Sequence, residues 1–174
     1  MKEHNMSLFN LDNNPQDSGK EKIYNHWQLF IDGASRNNPG PAGAGIYILK
    51  NDALVCKHGF YLGTKTNNQA EYAALLIGLY YVKQYIEPKD HLDIISDSQL
   101  LVRQFKGEYR VKHPELKPLH LIAKYLLLDI MYSITHVLRE KNTQADQMAN
   151  IGIDEKKPLP KEFLALLKQH DVIW

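Results

Sequence analysis

The spacing of hydrophobic positions changes character within the first 90 residues of the chain. Three short apolar runs come first, separated by turn-forming Asn, Asp, Gly and Pro, and they predict an antiparallel meander of strands at 27–31, 46–49 and 54–62. From Asn68 the apolar positions follow a helical period instead. Because this segment is apolar on nearly every side, we predict a helix that is buried on several faces and ended by Pro88.

The rest of the chain alternates strand-like and helix-like patterns. Strands are predicted at 92–95 and 132–137, and helices at 98–105, 116–128, 143–151 and 160–169. This order of elements, β-β-β-α-β-α-α-β-α-α, is typical of an α/β layered domain. We therefore expect a mixed five-stranded sheet in which the antiparallel meander is joined to two parallel strands and flanked by helices.

Length and composition agree with one globular domain. The chain has 174 residues, of which 44% are hydrophobic and 24% charged. Residues 1–25 are polar and aperiodic and are expected to form a mobile arm, residues 26–152 the main domain, and residues 153–174 a helical extension packed on it. No run is long enough to cross a membrane and no secretory signal is visible. The single cysteine, Cys56, favours a reducing, cytoplasmic compartment.

The positive charge is concentrated in one segment. The net charge of the chain is only +1, which does not indicate a general nucleic-acid-binding protein. Residues 101–125, however, contain two acidic and six basic residues, interleaved with Phe105 and Tyr109: Arg103, Lys106, Arg110, Lys112, Lys117 and Lys124. Two interpretations remain open for this basic segment, a patch that contacts phosphates and a solvated face of two surface helices.

Four acidic residues lie at the ends of predicted elements, where ligands collect in open α/β sheets: Asp32, Glu71, Asp97 and Asp146. Each also has a structural interpretation. Asp32 could form a turn, Glu71 could be the capping-box partner of Asn68, and Asp97 could cap a helix. Asp146 could be a solvated helix position. Four such positions at neighbouring ends are harder to attribute to chance than any one of them.

Converging carboxylates repel one another unless a cation offsets their charge. Oxygen ligands suit a hard divalent ion such as Mg²⁺ or Mn²⁺, and no Cys/His cluster competes for zinc. Two such ions about 4 Å apart would activate a water and stabilise the leaving oxygen of a phosphodiester. The residues alone therefore favour phosphodiester hydrolysis.

Four segments resemble, in order, the motif blocks of type 1 ribonuclease H: FIDGASRNNPG at 30–40, TNNQAEY at 66–72, SDSQ at 96–99 and NTQAD at 142–146. The resemblance spans about residues 26–152. It implies the ribonuclease H fold and hydrolysis of the RNA strand of RNA–DNA hybrids, leaving 5′-phosphate and 3′-hydroxyl ends. It also implies that the catalytic residues, which bind two Mg²⁺ or Mn²⁺ ions, are Asp32, Glu71, Asp97 and Asp146.

The resemblance further implies a set of substrate-binding residues: Asn38, Thr66, Asn67, Asn68 and Gln99. Short amide side chains can both donate and accept hydrogen bonds toward a 2′-hydroxyl in a wide, shallow minor groove. Turn formation and helix capping are compatible alternatives for the same residues. The expected partner is an RNA–DNA hybrid bound by a monomeric chain with no membrane partner, and double-stranded RNA remains open as a second substrate.

The sequence departs from the better-known bacterial members in two places. The connection 106–118 replaces their extra basic helix. His136 has the spacing of a family histidine on a mobile loop, yet it falls in a predicted strand, so we favour a sheet histidine. Arg139 follows a turn too short for that loop and is predicted to contact the substrate phosphate or leaving group, with an ion pair to Glu140 or Asp146 as the alternative. This pattern is similar to the loop-lacking branch of many bacteria and archaea.

Three other functions belong to different classes. The first is a nucleic-acid-binding module of the same fold with little turnover, which the presence of all four carboxylates disfavours. The second is an actin-like kinase or ATPase, which needs a second lobe that 174 residues do not accommodate. The third is a polynucleotidyl transferase, against which the Asn-rich motifs favour the hydrolysis of hybrids.

Overall fold

The computed structural model describes residues 24–174. Its strands are β1 (His26–Ser35), β2 (Gly40–Lys50), β3 (Ala53–Lys65), β4 (His91–Ser96) and β5 (Met131–His136). Its helices are α1 (Asn67–Val82), α2 (Gln99–Phe105), α3 (Leu116–Leu126), α4 (Thr143–Glu155) and α5 (Lys161–Gln169), and a short 3₁₀ turn at Arg139–Lys141 connects β5 to α4. The predicted mobile arm, residues 1–25, lies outside the described residues except for its last two.

The five strands form one mixed sheet in the order β3-β2-β1-β4-β5. β2 pairs antiparallel with both β1 and β3, whereas β1, β4 and β5 are parallel to one another. The predicted fold is confirmed. Because parallel strands end at the same edge, the carboxyl ends of β1, β4 and β5 lie side by side, and Asp32 and Asp97 are brought to neighbouring positions.

Several element boundaries differ from those predicted, among them the ends of β1 (Ser35 rather than residue 31) and α4 (Glu155 rather than residue 151), and two others have a clear physical reason. β2 begins at Gly40 rather than at residue 46, since its glycines and alanines are poor strand formers that only pairing with β1 and β3 holds extended. α1 ends at Val82 rather than at Pro88. Val82 is fully buried and the next three residues are exposed, so the helix stops where its packing stops.

The core lies between the sheet and α1. This helix is buried along most of its length, as its apolar sequence predicts, and α3 packs on it from outside. α4 packs on the opposite face of β1, β2 and β3. α5 joins the main core through Phe163 and Leu167, both fully buried, and the Phe163 ring meets Tyr80 of α1 edge to face. Within residues 24–174, every helix is too short or too polar to cross a bilayer.

A buried carboxylate holds the amino ends of β1 and β4 together. Asp90, only 3% exposed, accepts hydrogen bonds from Trp27 Nε1 at 2.9 Å, Asn25 N at 2.9 Å and Glu87 N at 3.1 Å. Burial alone would raise the pKa of Asp90, but these hydrogen bonds outweigh it and lower the pKa below its usual value. The ionised form of Asp90 therefore stabilises the fold.

The Asp90→Asn variant is expected to lose about 1–3 kcal/mol of unfolding free energy at pH 7, because an amide replaces a carboxylate that accepts several hydrogen bonds. A lowered folded-state pKa stabilises the native state above the unfolded-state value, near pH 4, and that contribution disappears as the pH falls through the folded-state pKa. Urea denaturation of the wild type and the variant should therefore show a difference in unfolding free energy that is largest at pH 7 and becomes smaller below about pH 4. The matched control is Asp129→Asn in an exposed turn, and an equal effect of the two substitutions would contradict the assignment.

Candidate active site

The amino-terminal part of α1 lies directly against the carboxyl-terminal part of β1. A Cβ added at Gly33 would lie 2.1 Å from both the Ala70 carbonyl carbon and the Glu71 nitrogen, so only glycine permits this contact. Gly33 N donates a hydrogen bond to Glu71 Oε2 at 3.2 Å. The close approach places the Glu71 carboxylate beside Asp32, the residue before Gly33.

Three structural interpretations of the acidic residues are wrong. Asp32 lies within β1, where it pairs with Gly45, and does not form a turn. The capping box of α1 is formed by Thr66 and Gln69, not by Asn68 and Glu71, so Glu71 has no capping role. Likewise, α2 is capped by the Ser98 side chain, which accepts from Leu101 N at 3.4 Å. Asp97 therefore does not cap α2.

α4 is carried to the same edge by a second close contact, on the opposite face of the sheet. A Cβ at Gly45 would lie 2.0 Å from the Ala145 carbonyl oxygen, and one at Gly59 would lie 1.9 Å from that of Met148. The helix thus rests on the strand backbone. Asp146, next to Ala145, is held in this way near the end of β1.

The structure brings three of the four carboxylates into one group. One oxygen each of Asp32, Glu71 and Asp97 can be chosen so that all lie within 4.8 Å of one another. They line a cavity of about 300 Å³ together with Gly33, Ala34, Ser35, Asn67, Arg139 and Asp146. Asp146 lines the cavity but is not part of this group, and its Oδ1 accepts a hydrogen bond from Arg139 Nη2 at 2.5 Å. This ion pair is the alternative that the sequence left open for Arg139.

The electrostatics of the cavity reflect crowded negative charge. Burial, followed by the charges of Asp97 and Asp146, raises the pKa of Asp32 to about 7. Burial and the charges of Asp32 and Asp97 also raise the pKa of Glu71 well above its usual value. Arg139 offsets part of this charge, and its hydrogen bond to Asp146 raises its own pKa. An oxygen-only donor set with excess negative charge fits a hard divalent cation such as Mg²⁺ or Mn²⁺.

His136 lies beside the group as the last residue of β5 and is exposed. Its Nε2 is 3.1 Å from the carbonyl oxygen of Asp97. Because a carbonyl oxygen only accepts hydrogen bonds, Nε2 carries the hydrogen and donates it. The ring is therefore tied to the backbone at the end of β4.

The polar residues implied by the family motifs line the carboxylate cavity or a neighbouring cavity, except for Gln99. Asn38 Oδ1 accepts from Asn67 N at 2.9 Å, and Asn67 Oδ1 accepts from Ser35 N at 2.8 Å, which leaves their amide NH₂ groups to donate to a ligand. A second cavity, of about 190 Å³, is lined by Asn38, Thr66, Asn68, His113 and Leu116. Gln99, exposed at the start of α2, lines neither this cavity nor the one at the carboxylates.

His113 is a cavity residue that sequence reasoning missed. It lies in the connection between α2 and α3 and reaches residues from distant parts of the chain. Neither its spacing nor its neighbours in sequence mark it, because the contact arises only when the sheet and α3 are assembled. Glu115, from the same connection, accepts a hydrogen bond from Gln69 Nε2 at 3.0 Å and links this segment to the cap of α1.

Fewer basic side chains of the basic segment are free to contact a ligand than the sequence indicates. Arg103 Nη1 donates to Tyr109 Oη at 2.6 Å, and its guanidinium lies 5.1 Å from the centre of that ring. Lys124 Nζ donates to the Phe105 carbonyl and to Tyr132 Oη, both at 3.2 Å. These two cations are engaged within the protein. The exposed residues that remain for phosphate contacts are Lys106, Arg110, Lys112 and Lys117.

Comparison with known sequences matches residues 30–152 to a family described as reverse transcriptase-like. Ribonuclease HI of Halobacterium salinarum is 38% identical over 128 residues, which are 72% of this chain and 63% of that protein. A bifunctional protein of Mycobacterium tuberculosis is 35% identical over 129 residues, again 72% of this chain but 35% of that protein. The chain thus spans less than two thirds of the length of either relative.

Solved structures of ribonucleases H also align with this chain. The crystal structure of RNase H1 from Halobacterium salinarum aligns with a TM-score of 0.70 at 36% identity, covering 75% of this chain and 98% of that one. LC11-RNase H1, solved in complex with an RNA/DNA hybrid, aligns with a TM-score of 0.70 at 33% identity, covering 74% and 97%. With a family match over most of its length, and with this sheet order and these relatives, the chain belongs to the type 1 ribonuclease H family.

Proposed function

We propose that this chain hydrolyses the RNA strand of RNA–DNA hybrids by a two-metal-ion mechanism that leaves 5′-phosphate and 3′-hydroxyl ends. The observation that carries the proposal is the convergence of Asp32, Glu71 and Asp97 oxygens within 4.8 Å in an open cavity at the edge of the sheet. The related LC11-RNase H1 was solved with an RNA/DNA hybrid, which supports the same substrate class for this chain.

The cations, Mg²⁺ or Mn²⁺, would be held by Asp32, Glu71 and Asp97, with Asp146 as the fourth carboxylate once Arg139 has left it. When bound, they would activate a water molecule and stabilise the leaving oxygen. Arg139 is 74% exposed in its side chain and can turn away from Asp146 without unpacking the core. We assign its guanidinium to the scissile phosphate or the leaving group, where its charge offsets the charge that develops.

The hybrid would be oriented by the residues beside the carboxylates. Asn38 and Asn67 offer amide donors, and Thr66 and Asn68 line the neighbouring cavity with them. These groups suit sugar hydroxyls and phosphates in a wide minor groove. Gln99, exposed two residues after Asp97, would contact the bases or sugars from the α2 side.

The remaining parts of the proposal follow from the same assignment. Residues 26–152 form the catalytic domain, and residues 153–174 extend it. The chain acts as a monomer on hybrids, with double-stranded RNA as a second substrate, and works in the cytoplasm, where the Cys56 thiol stays reduced.

The alternative is a hybrid-binding module with little turnover. The observation in its favour is the Arg139–Asp146 ion pair, in which an arginine occupies one of the four carboxylates. Cleavage of end-labelled hybrid, duplex RNA and duplex DNA, measured side by side with Mg²⁺, Mn²⁺ and chelator, separates the two functions. A module would bind the hybrid in every condition and cut it in none.

The Asp97→Asn variant is expected to cleave the hybrid more than about 100-fold more slowly than the wild type. Removing a residue that only orients a metal ligand costs up to about 100-fold, and Asp97 is proposed to bind the metal itself. In metal-free buffer its melting temperature should equal or exceed that of the wild type, because one of several mutually repelling charges is gone. Added Mg²⁺ should raise the melting temperature of the wild type and not that of the variant. The control is Asp129→Asn, which removes one exposed charge far from the cavity; near-wild-type turnover by Asp97→Asn would refute the metal site.

The basic segment gives a further prediction. If Lys106, Arg110 and Lys112 follow substrate phosphates, replacing all three with Gln should raise KM and leave kcat nearly unchanged, because remote contacts act equally in the ground and transition states. Each lost contact should reduce the slope of log affinity against log salt by about 0.7–0.9. Three losses are measurable by binding titrations at several salt concentrations.

The matched control for this triple variant removes the same charge elsewhere on the surface, at Lys57, Lys83 and Lys161, all exposed. It should leave KM and the salt slope close to those of the wild type. Equal behaviour of the two triple variants would show that the basic segment is only a solvated face.

A further inference from the structure

Asn142, just before the first residue of α4, is turned into the protein beside the carboxylate group. It is 1% exposed. Its Nδ2 donates to the Ile31 carbonyl oxygen at 2.8 Å and to Asp97 Oδ1 at 3.1 Å. The side-chain amide of Asn142 therefore links Ile31, the residue before Asp32, to the carboxylate of Asp97.

This arrangement departs from what an asparagine at this position normally does. Asn is favoured before a helix because its Oδ1 accepts a hydrogen bond from the backbone of the first turn. Asn142 makes no such capping bond, and its Oδ1 is buried without a partner among residues 24–174. A buried polar atom without a partner costs free energy. Asn142 thus gives up helix capping and leaves a buried oxygen unpaired within the described residues. Such departures from local preference are expected at functional sites.

We propose that Asn142 is a positioning residue that holds the Asp97 carboxylate and the end of β1 in the geometry needed for the cation. The inference rests on the proposed function and adds a residue to it. One Asp97 oxygen accepts from the amide, so the carboxylate cannot rotate freely and its other oxygen is left for a cation. The amide is also neutral, which lets it restrain Asp97 without cancelling the charge that attracts the metal, as a lysine would.

Two variants separate this role from a purely structural one. Asn142→Ala removes both donors and any capping group. In Asn142→Ser the side chain is too short to contact Asp97, but its hydroxyl is a good helix cap. The serine variant should therefore be more stable than Asn142→Ala. If Asn142 only stabilised the start of α4, the serine variant would behave like the wild type.

The experiment measures Mn²⁺ binding to the free protein by isothermal titration calorimetry. Both variants are expected to bind Mn²⁺ about 10- to 100-fold more weakly than the wild type, as for other partners that orient metal ligands. In cleavage assays the Mn²⁺ concentration for half-maximal activity should rise by a similar factor, while the KM for the hybrid stays unchanged. The serine variant keeps the test valid if the alanine variant does not fold.

The control is Asp90→Asn, which lowers stability at the opposite end of β1 and β4 and should leave Mn²⁺ affinity unchanged. Wild-type Mn²⁺ affinity in the folded serine variant overturns the inference, and so does an equal loss in Asp90→Asn. Failure of the proposed function would look different, because the wild-type protein itself would then not cleave the hybrid.

Discussion

The site depends on how closely two helices approach one pair of strands. α1 and α4 lie on opposite faces of β1 and β2, and each touches the strand backbone at a glycine, Gly33 on one face and Gly45 on the other. At either position a Cβ would overlap main-chain atoms of the helix at 2.0–2.1 Å. Main-chain atoms cannot yield as a flexible side chain can, so a larger residue there must displace the helix. Since the amino-terminal parts of these helices carry Glu71 and Asp146, the position of both carboxylates relative to Asp32 follows from this contact.

Bringing acidic groups together in this way destabilises the fold, and the rest of the molecule offsets that cost. Asp32 is buried beside other carboxylates, and its pKa rises to about 7 as a consequence. At the opposite end of the same strand, Asp90 has the reverse environment, in which hydrogen-bond donors surround the carboxylate and lower its pKa. The two ends of β1 thus separate function from stability, since the carboxylates at one end are only partly compensated by Arg139, whereas the carboxylate at the other end is surrounded by hydrogen-bond donors.

The fold and the acidic residues were predictable because their signals are local. Strand and helix periods differ within a few residues, and the four acidic residues lie near the predicted ends of elements. What could not be predicted depends on contacts between distant segments. Arg103 and Lys124 count as surface charge in the sequence, but they are engaged by Tyr109, Phe105 and Tyr132 once α2, α3 and β5 are assembled. Asn142 is a similar case. Its residue type predicts a helix cap, but in the folded chain its side chain instead donates a hydrogen bond to Asp97 at the end of β4.

Charge balance also links the free protein to the proposed reaction. In the described structure the Arg139 guanidinium compensates the carboxylates by pairing with Asp146. A divalent cation bound at Asp146 Oδ1 would repel this guanidinium, since the two positive groups would share one oxygen. Cations held by the other three carboxylates would lower the negative charge around Arg139, to which Asp32 and Asp97 contribute after Asp146. Under the proposed function, the guanidinium would then be freer to contact a phosphate, so cation binding would favour the proposed contact between Arg139 and the substrate.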